Sequence, residues 1–598
     1  LEKLNNAMSL IVQKFGGTSV ADPSKILSAA RKAIRAHQAG SQVVVVVSAM
    51  GKNTDALIAL AHELTDRPSA REMDMLLSTG EQVSVALMAM AIQSLGNKAV
   101  SLTGAQIGIK TDSTHTKARI RSISTERMKQ LLDAGNIVIA AGFQGSDEDF
   151  NITTLGRGGS DTTAVALAAV LKADSCEIYT DVDGVYTTDP RQLPEARMLR
   201  QVSYDEMLEL ASLGAGVMHS RAIEFGKKFG VPIHVRSSFT DRNGTMIVAE
   251  PESPDLAVSG AALVKNEALV TVQGVPDRPG TSYAIFSKIA ARAVAVDMIV
   301  QNVGVGGKAD ISFTVPRIDL PATSEAVQEA VIELGAAGWT EDDSVSKLSA
   351  VGLGMARQTG VAQRMFRALA EAGVNIKMIT TSEIKISVLV DASHGLPALR
   401  CVHQNFELQQ ESKHDRAGKI ESAQPANGDA LAVIARLQGM EDLAIGDITL
   451  DDSQARVTIE GVPDQPGVAA RVFERIGEEG IFVDMIVQGF GPGGAANLSF
   501  SVPQDSLAKA VDVVGRITRE LGCRQVTQSP KIAKLSVSGI GLRSHTGVAI
   551  RMFQALCEAG INVEMINTSE VRVNVVVDGA KGAAALAALQ QAFRDVRQ

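Results

Sequence analysis

Cysteine is scarce in this chain. There are four in 598 residues, Cys176, Cys401, Cys523 and Cys557, with no C-x-x-C pair among them. That argues against a disulfide framework or a clustered zinc site and fits a reducing cytosol. No apolar run approaches the ~20 residues that span a bilayer, so no membrane association is expected. Basic charge is not in excess either: the formal net charge is −9, which argues against non-specific nucleic-acid binding. The leading LEKLNNA carries charge and has no apolar centre, unlike a signal peptide; Met8 is expected to be the natural start. The composition is 45% hydrophobic and 21% charged, enough apolar residue for several cores. The length suggests about four domains.

From Met8 to about Val248, strand and helix patterns alternate. Val43 to Val47 is five valines followed by Ser48-Ala49-Met50-Gly51, which reads as a parallel strand buried on both faces. Ala99 to Leu102, Ile137 to Ala141, Cys176 to Thr180 and Ile233 to Val235 are further strands; Glu72 to Gln93 and Thr162 to Leu171 are helical. Such alternation predicts an α/β fold with a mainly parallel sheet and helices on both faces. Ligands then sit at the carboxyl ends of strands.

Several loops there carry chemistry. Leu10-Ile11-Val12 runs into Lys14, then Gly16-Gly17-Thr18-Ser19. The glycines let backbone N–H groups face an anion, and a helix from about Pro23 would add its positive end. This is not a Walker A loop, because G-x-x-x-x-G-K-[ST] does not occur. Thr54 either caps the next helix or contacts a ligand. Thr79-Gly80-Glu81 lies within a helix. Gly156-Arg157-Gly158-Gly159-Ser160-Asp161 is a glycine-rich turn entering a helix, with a forked guanidinium suited to a carboxylate. Asp181 to Arg191 reads as a nucleotide loop, with Tyr186 and Arg191, or as a plain surface hairpin. An EF-hand is excluded by the missing ladder and terminal Glu.

KFGGTSV, SAMGKNTDAL, REMDMLLSTGEQVS, TTLGRGGSDTTA and YTDVDGVYTTDPR stand in this order between Met8 and Val248. Together they resemble the aspartate kinases (aspartokinases) of the amino-acid kinase family. GRGGSDTTA and TDVDGVYTTDPR are the specific motifs, whereas KFGG is shared more widely. The resemblance implies a three-layer kinase domain that phosphorylates the side-chain carboxylate of L-aspartate with ATP, giving 4-phospho-L-aspartate and ADP. Lys14 and Asp161 would be catalytic, Lys14 stabilising charge on the transferred phosphoryl group. Gly16, Gly17, Thr18 and Ser19 would hold the ATP phosphates. Thr54, Glu81, Arg157, Ser160 and Asp161 would hold aspartate, with Arg157 on its α-carboxylate and Glu81 near its ammonium. Thr180, Asp181, Tyr186 and Arg191 would line the nucleotide site. The acceptor carboxylate is already ionised at neutral pH, so no general base is required. No all-protein cage for Mg²⁺ is apparent, and the metal would ride mainly on the phosphates. One departure stands out. Some relatives place a Lys after the VRSS segment, and here Ser238 is followed by Phe239, so no nucleotide role is given to that position.

The second half repeats itself. Gly274-Val275-Pro276-Asp277 recurs 187 residues later as Gly461-Val462-Pro463-Asp464, and Val296-Asp297-Met298-Ile299-Val300-Gln301 as Val483 to Gln488 at the same interval. Thr359-Gly360-Val361 and Thr381-Ser382-Glu383 recur at Thr546 and Thr568, and Asp255-Leu256-Ala257 at Asp442. A constant interval means a duplicated unit of two modules. Each module reads as ferredoxin-like βαββαβ, with Val270 to Gln273 a strand, a helix near Gly280 burying Ile285, Ile289 and Ala293, and a turn at Gly304 to Gly307. The later module of each pair is short of a strand that Ala257 to Val264 or Ala444 to Leu450 would supply. Gly489 to Gly494 matches G-x-G-x-x-G but lies between strands and contains Pro492; it reads as a hairpin turn.

These modules resemble ACT domains, in four copies. The expected layout is a kinase domain over 8–250, a first pair over 251–408 (265–340 inserted within 255–264 plus 345–408), a linker over 409–430, and a second pair over 431–598 (452–527 inserted within 442–451 plus 532–598). The resemblance implies side-by-side pairing, a homodimer or larger, and amino-acid effectors, lysine and threonine, bound at the joints. Asp277, Gly280 and Gln301, matched by Asp464, Gly467 and Gln488, would take the effector, and Asn375-Ile376 and Asn562-Val563 would complete the pocket. Asp277 and Asp464 could instead be helix caps. The rivals are another carboxylate or nucleotide kinase of the superfamily, and a non-catalytic amino-acid sensor.

Overall fold

The computed structural model describes residues 8–214, 217–251, 256–301, 307–410, 444–490, 495–540, 542 and 547–597. The readings of Leu1 to Ala7, of most of the Gly304 to Gly307 turn, of Gly491 to Gly494, of nearly all the linker, and of Asp255, Asp442 and Thr546 lie outside these residues.

Among the described residues the first half carries twelve strands: β1 (Leu10–Phe15), β2 (Gln42–Val47), β3 (Ala99–Leu102), β4 (Ile109–Thr111), β5 (Ile120–Ile123), β6 (Ile137–Ala141), β7 (Gln144–Ser146), β8 (Ile152–Thr154), β9 (Ser175–Thr180), β10 (Gln201–Ser203), β11 (Ile233–Ser237) and β12 (Thr245–Val248). Its helices are α1 (Pro23–Gln38), α2 (Asn53–Leu64), α3 (Ala70–Ser94), α4 (Gly104–Ile107), α5 (Glu126–Asp133), α6 (Gly159–Leu171), α7 (Tyr204–Ser212) and α8 (Ser220–Phe229). One sheet has the order β10-β12-β11-β9-β1-β2-β6-β3. The run from β11 to β3 is parallel, and β12 is antiparallel to β11. The five valines of β2 are all 0% exposed. Val44 and Val46 face one core with α6 and α8, and Val43, Val45 and Val47 face another with α1 and α3. That two-sided burial is why β2 has no polar alternation.

A second sheet, β5-β4-β7-β8, was not read from the sequence. Its strands are three or four residues long, too short for a period-2 pattern to register. Among the described helices α3 alone is long and apolar enough to cross a membrane by length and composition. Its buried face carries Asp74 (0% exposed) and Glu81 (3%). Two carboxylates on the covered side mark a core helix of this fold.

In the second half the strands are β13 (Gly260–Pro276), β14 (Asp297–Gln301), β15 (Lys308–Pro316), β16 (Gly338–Val351), β17 (Met378–Thr381), β18 (Lys385–Asp391), β19 (Ala444–Asp451), β20 (Gln454–Pro463), β21 (Ile486–Phe490), β22 (Ala495–Pro503), β23 (Gln525–Ser529), β24 (Ile532–Ile540), β25 (Met565–Thr568) and β26 (Arg572–Asp578). β13 and β16 are long because each serves two modules. Residues 260–264 pair with 347–351, and residues 269–273 pair with 338–342. In the second unit β19 pairs with β24, while β20 pairs with β22 and β23. The helix at Thr281–Ala291 buries Ile285 and Ile289, but Ala293 lies past its end with φ 56°.

The modules pair across the duplication. β17 of the second module is antiparallel to β21 of the third, Ile379 opposite Gln488. A ten-stranded sheet, β14-β15-β13-β16-β18-β17-β21-β22-β20-β23, results. Helix Thr281–Ala291 of the first module packs on Gly547–Glu558 of the fourth, as Val361–Glu371 of the second packs on Val468–Glu478 of the third.

Candidate active site and regulatory joints

The carboxyl ends of β1, β2, β6 and β9 converge on one edge of the parallel sheet. Gly51 N–H donates to Gly17 O at 3.0 Å, locking the β1 and β2 loops together. A Cβ on Gly17 would stand 2.8 Å from Ala49 O, so only glycine fits this approach. The chain then makes a 3-10 turn, Gly17–Val20, and α1 starts only at Pro23. The Asp22 carboxylate accepts the Lys25 N–H at 3.0 Å. The start of α1 is thus capped by a carboxylate of its own chain segment. Thr18 is exposed. Ser19 is buried, its N–H donating to Gly16 O and its hydroxyl accepting from Ser238 at 2.5 Å.

The helix terminus that faces the site is that of α6. Gly158, at φ +72°, ends the loop before it. Lys14 Nζ lies 2.5 Å from Asp161 Oδ1 on its first turn, the two side chains 12% and 11% exposed. Ser160 is buried beside Gly142, and Arg157 is exposed at the loop tip. Glu81 reaches in from α3. Its Oε1 accepts the Ala49 N–H at 3.0 Å, and its Oε2, also buried, has no hydrogen-bond partner. Burial pushes its carboxyl up to about 7, against the pull of the Ala49 N–H. Thr54 is the second residue of α2 and does not cap it; the cap position is Lys52, with no side-chain bond.

Two residues of this neighbourhood escaped the sequence reading. Asp74, fully buried, accepts from Thr116 N–H (3.0 Å) and Thr154 Oγ1 (2.5 Å) and lies 2.8 Å from His115 Nδ1. It pins β8, which leads straight into Gly156. His219 stands behind Gly158, where a Cβ would come within 2.2 Å of its own Cβ. Burial lowers the pKa of its ring. Asp74 had a signal, being inside REMDMLLSTGEQVS; His219 had none.

Beyond β9, Thr180 Oγ1 donates to Asp181 Oδ1 (3.1 Å). Tyr186 bridges to Met198, and Val185, Thr187 and Thr188 are buried, so the loop is not a plain surface hairpin. Arg191 is 86% exposed and its guanidinium holds Asp189 at 3.0 Å. Asp183 takes Thr240 Oγ1 (2.6 Å) and Arg242 Nη1 (3.0 Å). Among the described residues no group of three or more His, Cys, Asp or Glu is placed to hold a metal.

At the regulatory joints the expected residues meet in pairs. Asn562 Nδ2 donates to Asp277 Oδ1 at 2.6 Å, and Gln301 Nε2 to Val563 O at 2.6 Å. Their counterparts 187 residues away do the same: Asn375 Nδ2 to Asp464 Oδ1 at 2.7 Å, and Gln488 Nε2 to Ile376 O at 3.1 Å. Gly280 and Gly467 hold the cap positions of the neighbouring helices, with no side-chain cap. Asp277 and Asp464 are therefore cross-joint acceptors and not helix caps. Each joint also has a cavity at its other edge that the sequence reading missed. One, of about 110 Å³, lies between Val296 and Asp297 of the first module and Ala549, Thr568 and Ser569 of the fourth. The other, of about 80 Å³, is lined by the matching Val483, Asp484, Ala362, Thr381 and Ser382. The repeated Thr-Ser-Glu turn was its signal.

Comparison with known proteins bears on the family and the fold. The amino acid kinase family model matches residues 9–237, and the ACT domain model matches 348–406, 457–516 and 535–593. The first module lies outside those matches but has the same strand and helix order. An aspartokinase of Pseudomonas aeruginosa is 50% identical over 404 residues, 67% of this chain and 98% of that one. The crystal structure of aspartate kinase from Synechocystis is 40% identical, covers 98% of both chains and superposes with TM-score 0.52. E. coli aspartokinase III is 25% identical, covering 66% of this chain and 99% of its own. Its complexes with aspartate and ADP and with lysine and aspartate give TM-scores of 0.56 and 0.54. Half identical over nearly the full length of a known aspartokinase, the chain belongs to the aspartokinases of the amino acid kinase family.

Proposed function

We propose that the chain transfers the γ-phosphoryl group of ATP to the side-chain carboxylate of L-aspartate, opening the route to lysine, threonine and methionine. The observation that carries this reading is the Lys14–Asp161 pair at the start of α6, together with the buried, unpartnered oxygen of Glu81. Glu81 takes the aspartate ammonium, Arg157 its α-carboxylate, and Thr54 and Ser160 flank it. The acceptor carboxylate is itself the nucleophile. Chemistry then reduces to holding two anions in line and neutralising the charge that develops between them. Lys14 supplies that charge and Asp161 aims it. The N–H groups around Gly16, Gly17 and Thr18 cradle the phosphates, with Thr180, Asp181 and Tyr186 along the nucleotide. Ser19 and Arg191 serve by shaping their loops. Mg²⁺, carried mainly on the phosphates, supplies further positive charge.

We read residues 8–250 as the kinase unit, 251–408 and 431–598 as the two module pairs, and 409–430 as the linker between them. Lysine and threonine act at the joints. Asp277 and Asp464, closed by Asn562 and Asn375 in the free chain, accept the effector ammonium when those amides give way. A homodimer or larger assembly in the cytosol is part of the same reading. The test is ADP release with Mg²⁺ and ATP against L-aspartate, glutamate, acetylglutamate and UMP, with lysine, threonine or both added. Turnover with aspartate that falls with either amino acid supports it. Turnover only with another acceptor, or none and no difference on Lys14→Ala, overturns it.

A further inference from the structure

One carboxylate of the kinase unit touches both halves of the regulatory region. Glu209, on α7, is 0% exposed. Its Oε2 lies 2.8 Å from Lys385 Nζ of the second module, and its Oε1 accepts the backbone N–H of Glu570, in the fourth module, at 3.0 Å. Lys385 starts β18 and Glu570 lies just before β26. They belong to the same hairpin turn of the duplicated unit, Thr381 to Lys385 and Thr568 to Arg572. The two turns are joined directly by the Glu383–Arg572 ion pair. Each turn lines the cavity of its own joint, through Thr381 and Ser382 in one and Thr568 to Glu570 in the other.

The other side of α7 leads to the chemistry. α7 packs on α8, and α8 on α6. From α8, Arg221 donates to Leu155 O (2.5 Å) and to Ala118 O (3.1 Å), and His219 backs Gly158. The glycine loop that carries Arg157 is thus braced from the helix pair that Glu209 anchors. One turn earlier, Glu206 accepts the Leu353 N–H of the second module at 3.1 Å. Lys385 is 3% exposed. Burial alone would lower its pKa, but the charges of Glu209, Asp297 and Glu570 outweigh it and hold it raised. Lys385 therefore keeps its positive charge against Glu209.

We infer that Glu209 is the positioning residue at which both regulatory joints act on the kinase unit. An effector at either joint moves its hairpin, and the hairpin moves α7, α8 and the Arg157 loop through one shared carboxylate. Two inputs on one group couple the joints, so that each effector changes the response to the other. This rests on the reading that the joints bind amino-acid effectors.

The test is the full chain carrying Glu209→Gln with Lys385→Met. The double change removes both charges of the Glu209–Lys385 contact together, and the amide oxygen can still accept the Glu570 N–H. Effector binding by calorimetry should stay within about threefold of the parent, while the concentration for half-inhibition by lysine plus threonine rises about tenfold or more. Inhibition curves that superimpose on the parent's overturn the inference. If the parent itself responds to neither amino acid, the effector reading fails, and kinetics without effector decide on Glu209. A KM for aspartate raised about fivefold with KM for ATP unchanged supports the positioning role; no change overturns it. Glu209→Asp, which keeps the charge but shortens the reach, is the second variant if the pair does not fold. The same readouts apply to it.

Discussion

The catalytic edge and the regulatory joints handle buried polar groups in opposite ways. At the catalytic edge Glu81 Oε2 is buried with no hydrogen-bond partner, and burial pushes the carboxyl up to about 7. At the joints Asp277 and Asp464 are already satisfied by Asn562 and Asn375 from the facing module. An unpaired buried carboxylate is costly to keep, so the kinase unit holds a prebuilt demand for a cation. The joints instead close on themselves, the facing amides already occupying these carboxylates. A catalytic site must act at once on arrival of substrate, whereas a sensor needs a resting state to depart from.

Breaking the open site should have the largest effects. Lys14→Ala removes the cation held at the start of α6 and should lower kcat by about 10³-fold, read by steady-state ADP release. Arg157→Ala should raise KM for aspartate by about 100-fold through loss of a bidentate contact. Because Glu81 must be ionised to take an ammonium, kcat/KM for aspartate should rise as pH increases through about 7, and Glu81→Gln should flatten that rise. The same group gives a stability test. Its folded pKa is above the ordinary 4.5, so its favourable contribution is full below that value and is lost as pH rises through about 7. Glu81→Gln should therefore gain on the parent by about 3 kcal/mol at pH 8, from denaturant titration, with the gain vanishing in acid.

Opening the closed sites should have smaller and separable effects. Asn562→Ala and Asn375→Ala each remove the amide that competes with the effector for Asp277 or Asp464 and should lower the half-inhibiting concentration by about tenfold. Different effectors for the two variants would assign one amino acid to each joint. Identical responses would mean the joints are equivalent. Smallest of all, Arg572→Gln breaks a half-exposed ion pair between the hairpins and should shift stability by no more than about 1 kcal/mol.

Long, strongly patterned elements were legible beforehand. The valine strand, the helix at Glu72 to Gln93 and the 187-residue repeat reappear with little change in their bounds. Short strands were not, as β4, β5, β7 and β8 show. In the site, Lys14 and Asp161 were named from motifs and do meet. Arg191 shares the motif but holds Asp189, and Ser19 holds Ser238. A motif reports which residues sit in a loop; it does not report which of them a neighbour has already engaged.

By itself the sequence determined what is local or repeated: the two-sided burial of β2, the glycine turns that approach too closely for a side chain, the duplicated module and the residue types at each joint. Periodicity, side-chain volume and recurrence along one chain are enough for those. Only the tertiary structure decided which copies meet. Asn562 finds Asp277 across 285 residues, and Glu570 finds Glu209 across 361. Pairing the first module with the fourth, rather than with its own neighbour, is a choice among chemically equivalent faces. Packing of the whole chain settles it, because the local pattern is the same at both joints.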